Sequence, residues 1–541
     1  MDLKFDDVEK DTKLAKEYLE KNREFHSFGP HITDNMEACT QYLSNIHDYV
    51  IYHVSDLKSA IENVKTANSE LSQTIWDFKF YELATKIEEN MDLFIQLEYL
   101  LRNRPVEDSR LEIELLTKQF RCACDNNGYN ILTMSTGAPL LSLGCVASMR
   151  KSSYNIILAT IDTAVISHLF TKMCHELGLC DFNLIITTEK CISEMRDIPH
   201  YKNLDYSKFT AANSWSLGVI TEHSDVDSAV DIFITSSIQS LWKLRKIIVQ
   251  ESVYQQFKDV LSWKCSLKGV RSDDEVSSSY RKLCPDVFKF DDRVFLLDYI
   301  RSSPLPQLLP EVTVEAYRTT KELLTMIRKY EPLYLSLWAN DVAESNEVAH
   351  AVDCRVVWVN SFADFRGPPR ISNAIYDITR TRFVKKTKEI SELNKLTESW
   401  LKLDISERRK ILSEVIMKRK ELISESVEFT TGQLEELYNY ESNGFVEVGK
   451  DYICMGITRP AGIVNITREG ECLFHGSILE SILLGNAFVT EEQDPLVKLY
   501  EEARVPAIYA ELEDGQDCKV ISGTDNVTKV VWANVGTIFA N

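Results

Sequence analysis

Glycine is scarce in this chain. The 541 residues include 19 glycines, about half of the ~7% that soluble domains use. Between Gly178 and Gly367 only Gly218 and Gly269 occur. Phosphate-binding turns and nucleophile loops use glycine because it reaches positive φ and lets backbone N–H groups approach a ligand closely. The middle of the chain therefore has few residues that could build such turns.

Cysteine is present but without pattern. The 13 cysteines are odd in number and form no Cys-x-x-Cys pair, and Cys122 and Cys124 are the only close pair. Scattered cysteine in a long chain is typical of a reducing compartment, whereas a disulfide framework or a zinc site would need a regular spacing. The ten histidines also lack the spacing of metal ligands. We expect no metal site and a cytoplasmic location.

An excess of positive charge and long apolar runs are also absent. Lys and Arg total 61 against 82 Asp and Glu, which gives a net charge of −21. A nucleic-acid or anionic-membrane partner requires clustered basic residues, so neither is expected. No apolar run approaches the ~20 residues of a membrane span. The first residues are charged and lack the apolar core of a signal peptide.

What the sequence does contain is an alternation of strand and helix patterns. Apolar runs at 130–136, 155–159 and 183–187 alternate with helical patterns at 138–151 and 164–177. Strands that alternate with helices indicate a parallel sheet. The predicted fold class is therefore α/β.

The stretch 224–261 carries a more specific pattern. Ser224 and Asp225 offer side-chain oxygens that can cap a helix. The run KIIVQ at 246–250 is typical of a buried strand, and apolar residues recur at helical spacing from Tyr254 onwards. We expect a helix, a loop, a strand and a second helix in that order.

This stretch resembles a segment of aldehyde dehydrogenases that reads D-x-D-x-x-A-V, then G-Q-x-C, then a strand ending V-x-E. The phrases SDVDSAV and VQESVYQQF are most similar to aldehyde dehydrogenase family 16, whose members carry a second, partial repeat. Further matches are the segments at 333–352, 355–360, 459–466 and 482–490. The resemblance implies an aldehyde dehydrogenase-like fold with parallel dinucleotide-type sheets, plus a second, partial repeat.

The resemblance also assigns the catalytic positions, and the chemical groups are missing there. Gln239 stands at the glutamine of G-Q, so the family's nucleophilic cysteine corresponds to Leu241. Gly137 stands where the family has an asparagine that binds the oxyanion. No glutamate for the family's base occurs between Glu194 and Glu222. We therefore predict no functional catalytic residue.

The cofactor positions change in the same way. The family's ribose-binding lysine corresponds to Leu158 in the first repeat and to Glu491 in the second. The glutamate that binds nicotinamide ribose corresponds to Pro306. The glycine-bearing phosphate turn of the family has no counterpart. We expect no cofactor, and NAD only if the protein is an active member.

The resemblance divides the chain into domains and suggests a homodimer, while other protein partners cannot be named from it. The expected domains are an N-terminal arm (1–40), a first dinucleotide-binding-like domain (41–223), a degenerate catalytic-like domain (224–365), a connector or bridging segment (366–394) and a second, partial repeat (395–541).

Two functions stay open. Oxidation of an aldehyde on this fold needs a thiolate that attacks the carbonyl carbon, and leucine has no nucleophilic atom. The first interpretation is a catalytically inactive aldehyde dehydrogenase-like protein (a pseudoenzyme) that acts as a binding or scaffold protein. The alternative is an active NAD-dependent oxidoreductase that converts aldehydes to carboxylic acids with relocated catalytic residues.

Overall fold

The structure is a computed structural model. It describes residues 12–27, 36–41, 48–67, 76–122, 130–149, 154–195, 203–205, 215–267, 280, 284, 286–299, 310–376, 380–423, 427–439, 445–460, 462–466, 476–491, 497–513, 515, 517–522 and 527–534.

The chain forms two compact units. Unit 1 consists of Met1–Tyr376, Glu447–Cys454 and Val531–Asn541, and unit 2 of Asp377–Val446 and Met455–Val530. Unit 2 begins within the predicted connector 366–394. The domain boundaries given above remain predictions.

The described α-helices are α1 (Lys13–Lys21), α2 (Leu57–Ala67), α3 (Trp76–Glu89), α4 (Met91–Arg102), α5 (Val106–Arg121), α6 (Pro139–Gly144), α7 (Ala164–Glu176), α8 (Glu189–Met195), α9 (Val226–Thr235), α10 (Glu251–Leu267), α11 (Thr320–Tyr330), α12 (Val342–Ala351), α13 (Asn373–Tyr376), α14 (Lys388–Leu401), α15 (Ile405–Ile423), α16 (Val427–Asn439), α17 (Gly476–Leu484) and α18 (Val497–Glu502). Short 3₁₀ helices cover Cys145–Ser148, Ile161–Thr163 and Pro369–Ser372.

The described strands are β1 (Glu24–Phe25), β2 (Met36–Gln41), β3 (Tyr49–Val54), β4 (Ile131–Thr133), β5 (Asn155–Ala159), β6 (Phe182–Ile186), β7 (Asn203–Asp205), β8 (Ser216–Ile220), β9 (Leu244–Gln250), β10 (Asp286–Phe290), β11 (Arg293–Leu297), β12 (Glu311–Tyr317), β13 (Tyr334–Trp338), β14 (Val356–Val359), β15 (Arg380–Val384), β16 (Phe445–Val448), β17 (Tyr452–Arg459), β18 (Ile463–Ile466), β19 (Ala487–Thr490), β20 (Ala507–Tyr509), β21 (Cys518–Ser522) and β22 (Val527–Asn534).

Unit 1 contains a parallel sheet in the order β6-β5-β4-β7. Every residue of β5 and β6 is buried, which explains their nearly unbroken apolar sequence, because both faces of a parallel sheet are usually covered. Leu57 and Ile61 of α2 pack with Ile156 and Leu158 in one core cluster. A small sheet of the order β1-β3-β2 also belongs to this unit.

The second large sheet of unit 1 has the order β10-β11-β12-β9-β8-β13-β14. Its neighbouring strands are parallel except β10, which is antiparallel to β11. The portions of β17 and β22 that belong to unit 1 lie in the same sheet. Phe233 of α9 and Phe257 of α10 are buried in its core. The helix, loop, strand and helix predicted for 224–261 are confirmed.

Unit 2 contains a sheet of the order β15-β21-β18-β19-β20, in which only β15 runs antiparallel to its neighbour. Its strands β20-β19-β18-β21 have the same order and relative direction as β6-β5-β4-β7. In both sets the chain moves outward through three strands and then returns to the other side of the first. Trp400, Leu412 and Leu483 lie in its core.

The predicted α/β class with parallel sheets is confirmed. Among the described helices, none combines the length and apolar character that crossing a bilayer demands.

Candidate functional site

The loop between α9 and β9, residues 236–243, carries the position that the resemblance gives to the nucleophile. Helix α9 begins where the sequence predicts, because the Asp225 carboxylate accepts a hydrogen bond from the Ser228 N–H at 3.1 Å. We call residues 236–243 the 236–243 loop. Its first and last residues meet two different strands of the sheet.

Arg293 of β11 holds the start of the loop. Its guanidinium donates to the Ser236 carbonyl at 2.6 Å and also to the Phe233 carbonyl. These carbonyls end α9, so a cation there complements the helix dipole. Arg293 is buried, and desolvation lowers its pKa to about 10. The side chain therefore stays charged at neutral pH and fixes the end of α9.

Ser237 holds the middle of the loop. Its hydroxyl donates a hydrogen bond to the Asp108 carboxylate of α5. The same oxygen accepts the backbone N–H groups of Gln239 and Ser240, both at 3.1 Å. The turn is therefore built on a side chain rather than on glycine, which fits the low glycine content of this region.

The end of the loop is packed against β8 and buried. Ser216 donates from its hydroxyl to the Trp242 carbonyl at 2.5 Å and from its N–H to the Lys243 carbonyl at 2.8 Å. Leu241 is 5% exposed, whereas Gln239 is exposed. The predicted nucleophile position thus holds a buried hydrocarbon side chain.

Gly137 lies in the turn between β4 and α6. Its N–H donates to the Ser135 hydroxyl at 3.2 Å, and its carbonyl accepts a hydrogen bond from Arg104. Arg104 also pairs with Glu112, and its Nε lies 3.2 Å from Glu98. A backbone carbonyl held in this way is an acceptor, so the turn does not present the donor side chain that an oxyanion needs.

Both predicted positions therefore connect to one group of charged residues, which we call the buried ion cluster. Its members are Glu98, Arg104, Asp108 and Glu112, and their exposed fractions are 0%, 4%, 6% and 0%. Desolvation raises the pKa of Glu98 and Asp108, and that of Glu112 to about 8. Nothing in the spacing of these residues signals the cluster in the sequence.

Four buried cysteines among the described residues are poorly suited to act as nucleophiles. Cys265, on α10, is buried, and desolvation raises its pKa to about 12. Burial also raises the pKa of Cys284, Cys174 and Cys454. A thiol with a raised pKa is a poor nucleophile at neutral pH, because the thiolate is the reactive form.

Glu222 and the 236–243 loop lie at opposite ends of β8. It follows the carboxyl end of β8 and exchanges two hydrogen bonds with Gln250, at 2.8 and 3.2 Å. The 236–243 loop contacts the amino end of β8 through Ser216. Ser216 and Glu222 are six positions apart, about 20 Å at the usual rise of a strand, so the Glu222 backbone lies far from the part of the loop that contacts Ser216.

A cavity of about 490 Å³ opens at the carboxyl ends of β4 and β5. This is the edge at which parallel sheets bind ligands, next to the point where the strand order reverses. Four hydroxyl side chains, two apolar side chains, one acidic residue and one basic residue line it: Thr133, Met134, Thr136, Thr160, Glu189, Lys190, Ile192 and Ser193. The described residues contain no group of three or more His, Cys, Asp and Glu suited to a metal ion.

The predicted cofactor positions have different surroundings. Leu158 lies inside β5 with its side chain in the core, and Thr160, the first residue after β5, lines the cavity. Glu491 is the first residue after β19 and accepts hydrogen bonds from Asn465 at 3.3 Å and from the Leu512 N–H at 3.2 Å. Pro306 lies outside the described residues. Sequence reasoning missed Thr160, which the end of the buried strand could have indicated.

Comparison with known proteins finds similarity at the level of structure alone. No protein-family model and no curated protein sequence matches the chain. The betaine aldehyde dehydrogenase of Staphylococcus aureus in complex with NAD⁺ aligns with a TM-score of 0.51 and 14% identity, over 65% of this chain and 90% of that one. An apo single-residue mutant of the same enzyme gives 0.51 and 14%, over 64% and 90%. A Sinorhizobium meliloti NAD-dependent aldehyde dehydrogenase gives 0.49 and 11%, over 65% and 89%.

The fold is therefore that of aldehyde dehydrogenases, as the sequence resemblance implied. At this identity the likeness establishes the fold and leaves activity to the chemistry of the site.

Proposed function

We propose that this chain is a catalytically inactive aldehyde dehydrogenase-like protein that acts as a binding or scaffold protein. The observation that carries the proposal is the buried Leu241 side chain, 5% exposed, at the nucleophile position of the 236–243 loop. Formation of a thiohemiacetal requires sulfur at that place, and a methyl-terminated side chain has no lone pair to attack a carbonyl.

Two further features support the inactive interpretation. The Gly137 carbonyl, which Arg104 holds, is an acceptor where the reaction needs a donor. Glu222, the first glutamate after Glu194, sits at the opposite end of β8 from the loop. A reaction would therefore lack its nucleophile, its oxyanion donor and its base together.

The cavity at the carboxyl ends of β4 and β5 supports the binding part of the proposal. It is large enough for a small organic ligand. Its hydroxyl side chains can donate and accept hydrogen bonds, while Lys190 and Glu189 supply one charge of each sign. A pocket of this kind in a chain without a nucleophile at Leu241 favours a protein that binds a ligand without transforming it.

We also propose that unit 2 is a second, partial repeat and that the chain is most similar to aldehyde dehydrogenase family 16. The shared order of β6-β5-β4-β7 and β20-β19-β18-β21 supports the repeat. The Gly485–Asn486 turn, which lies in the matching segment 482–490, adds support. Gly485 has φ +120°, and the Asn486 side chain accepts a hydrogen bond from the Gly462 N–H at 2.9 Å. A cytoplasmic homodimer is part of the same proposal, and light scattering of the purified full chain would test the dimer.

The test of the main proposal is an assay for NADH formation with short aliphatic and aromatic aldehydes. We expect no turnover from the full chain. Leu241→Cys is the matched variant, because it places a thiol at the predicted position without adding a base or an oxyanion donor. We expect no sustained turnover from this variant either. Iodoacetamide should alkylate the introduced thiol only while the 236–243 loop exposes that position to solvent. Robust NADH formation by the unmodified chain would overturn the proposal and favour the active oxidoreductase.

A further inference from the structure

The buried ion cluster contains more acidic groups than basic groups. It contains three carboxylates, Glu98, Asp108 and Glu112, and one buried guanidinium, Arg104. Arg102 adds a second guanidinium at the rim, 3.4 Å from Glu98. With all three carboxylates ionised, the group would carry one uncompensated negative charge away from water. Such a charge is strongly unfavourable, so the group retains a proton instead.

Glu112 is the member best placed to hold this proton. One of its carboxylate oxygens pairs with Arg104, and the other is buried without a hydrogen-bond partner. The hydroxyl of Tyr376, on α13, is also buried and without a partner, and the raised pKa of this tyrosine reflects burial first and then the charges of Cys145 and Glu112. A protonated carboxyl is a neutral group that this environment tolerates.

Other charged groups on the elements that pack against α5 face different turns of that helix. Glu88 of α3 pairs with Arg121 at the far end of α5, at 2.6 Å. Arg370, in the 3₁₀ helix Pro369–Ser372, acts on Cys122. The groups that act on Glu112 are therefore Arg104, Glu98, Asp108 and Arg102.

The cluster is connected to both halves of the candidate site. Arg104 donates to the Gly137 carbonyl, and Asp108 accepts from the Ser237 hydroxyl. Ser237 in turn accepts the N–H groups of Gln239 and Ser240. A change of charge in the cluster thus acts directly on the hydrogen bonds that shape the Gly137 turn and the 236–243 loop.

We propose that the buried ion cluster is a proton-dependent latch, which holds the 236–243 loop closed while one proton is bound and releases it when the proton leaves. Release relieves the excess negative charge by letting water reach Asp108 at the half-buried Ser237 contact. The latch controls access to the loop and to the Leu241 region. It operates whether or not the site is catalytic.

The direction of the pH dependence follows from Glu112. Its pKa in the closed state, about 8, lies above the 4.5 of a solvated glutamate. Opening admits water beside Asp108, which weakens its repulsion of Glu112 and lowers the pKa of Glu112 from the closed-state value. The closed state is therefore most favoured at low pH, and its advantage decreases as the pH rises through the interval between the open-state and closed-state pKa values. With one proton linked to opening, the opening equilibrium increases about tenfold per pH unit. The increase ends above the closed-state pKa, where both states have lost the proton.

Hydrogen–deuterium exchange of the full chain tests the latch. The amides of the 236–243 loop are followed across neutral pH and corrected for intrinsic exchange. Their protection is expected to fall about tenfold per pH unit and then to level off. Glu112→Gln, which keeps the shape and cannot ionise, should remove this slope. Glu114→Gln, a matched change at an exposed position of the same helix, should keep it.

Ser237→Ala provides a second variant that leaves the buried carboxylates intact. It should raise loop exchange at every pH and flatten the slope, because the connection to Asp108 is lost. A protection factor for the loop that does not change with pH in the unmodified chain would overturn the proposal. So would a slope that survives in Ser237→Ala, which decides the question even where Glu112→Gln fails to fold.

Discussion

The Ser237 hydroxyl donates a hydrogen bond to the Asp108 carboxylate, which lies 129 positions earlier in the chain. This contact joins the loop at the predicted nucleophile position to a helix of the preceding segment. It also completes a turn in which Ser237 accepts two backbone N–H groups. A single hydroxyl therefore supplies what other loops obtain from glycine.

Replacing Ser237 with alanine should lower the free energy of unfolding by about 1–3 kcal/mol, because a buried carboxylate and two N–H groups lose their partner. Urea denaturation followed by tryptophan fluorescence measures the change. Ser266→Ala is the control, since Ser266 is exposed and donates to the Trp263 carbonyl of its own helix. Equal effects of the two substitutions would show that the Asp108 contact has no special role.

Gly218→Ala should destabilise unit 1 by about 1–3 kcal/mol through overpacking. A methyl group on Gly218 of β8 would lie 2.6 Å from the ring of Phe233, a buried residue of α9. Gly432→Ala serves as the contrast, because among the described residues no atom outside the backbone of α16 and the adjacent residues lies within 4 Å of the added carbon. That helical change should stabilise by about 0.5–1 kcal/mol. Denaturation midpoints of the two variants should therefore move in opposite directions.

Asp181 should make stability decrease with rising pH. Burial raises its pKa to about 6 from 3.8, so the folded state binds the proton more tightly than the unfolded state does. The stability from this group is complete below 3.8 and is lost as the pH rises through about 6. Asp181→Asn should reduce the change of the denaturation midpoint with pH across that window. Asp162→Asn, at an exposed position, should leave the wild-type slope unchanged.

Affinity for NAD and NADP should be negligible. Leu158 and Glu491 stand at the two predicted positions of the ribose-binding lysine, and neither carries a positive charge that could hold a ribose or phosphate. Calorimetric titration of the full chain with either dinucleotide should give no saturable heat. Thr160→Lys adds a cation at the cavity and should increase any residual binding. A micromolar dissociation constant for the unmodified chain would contradict the prediction.

The elements of the core could be read from the sequence because their signals are local. A buried strand such as β5 needs consecutive apolar side chains, and a helix such as α9 needs a cap and a period of 3.6 residues. Asp225 illustrates this, since its capping role depends on neighbours within three positions. The boundaries depend on more than local pattern: the helix expected over 138–151 ends as α6 at Gly144 and continues as a 3₁₀ turn.

The placement of site residues at strand ends depended on counting through short elements. The strand expected over 130–136 covers only Ile131–Thr133, and Thr160 rather than Leu158 lines the cavity. Leu158 and Thr160 are two positions apart, so their side chains point to the same side of β5. Leu158 lies inside the strand, whereas Thr160 follows its end. Periodicity fixes the face of a strand and leaves its end to the turn that follows.

The sequence by itself determined the α/β class, the order of elements in 224–261 and the absence of a nucleophilic atom at Leu241, because these follow from residue types and local spacing. Only the tertiary structure decided that Glu98, Arg104, Asp108 and Glu112 meet in the interior and hold the turn of Gly137 and the loop of Ser237. Burial is what gives these charges their effect, since the same residues in water would neither shift their pKa nor require one another. Burial depends on how distant helices pack, which no local pattern records.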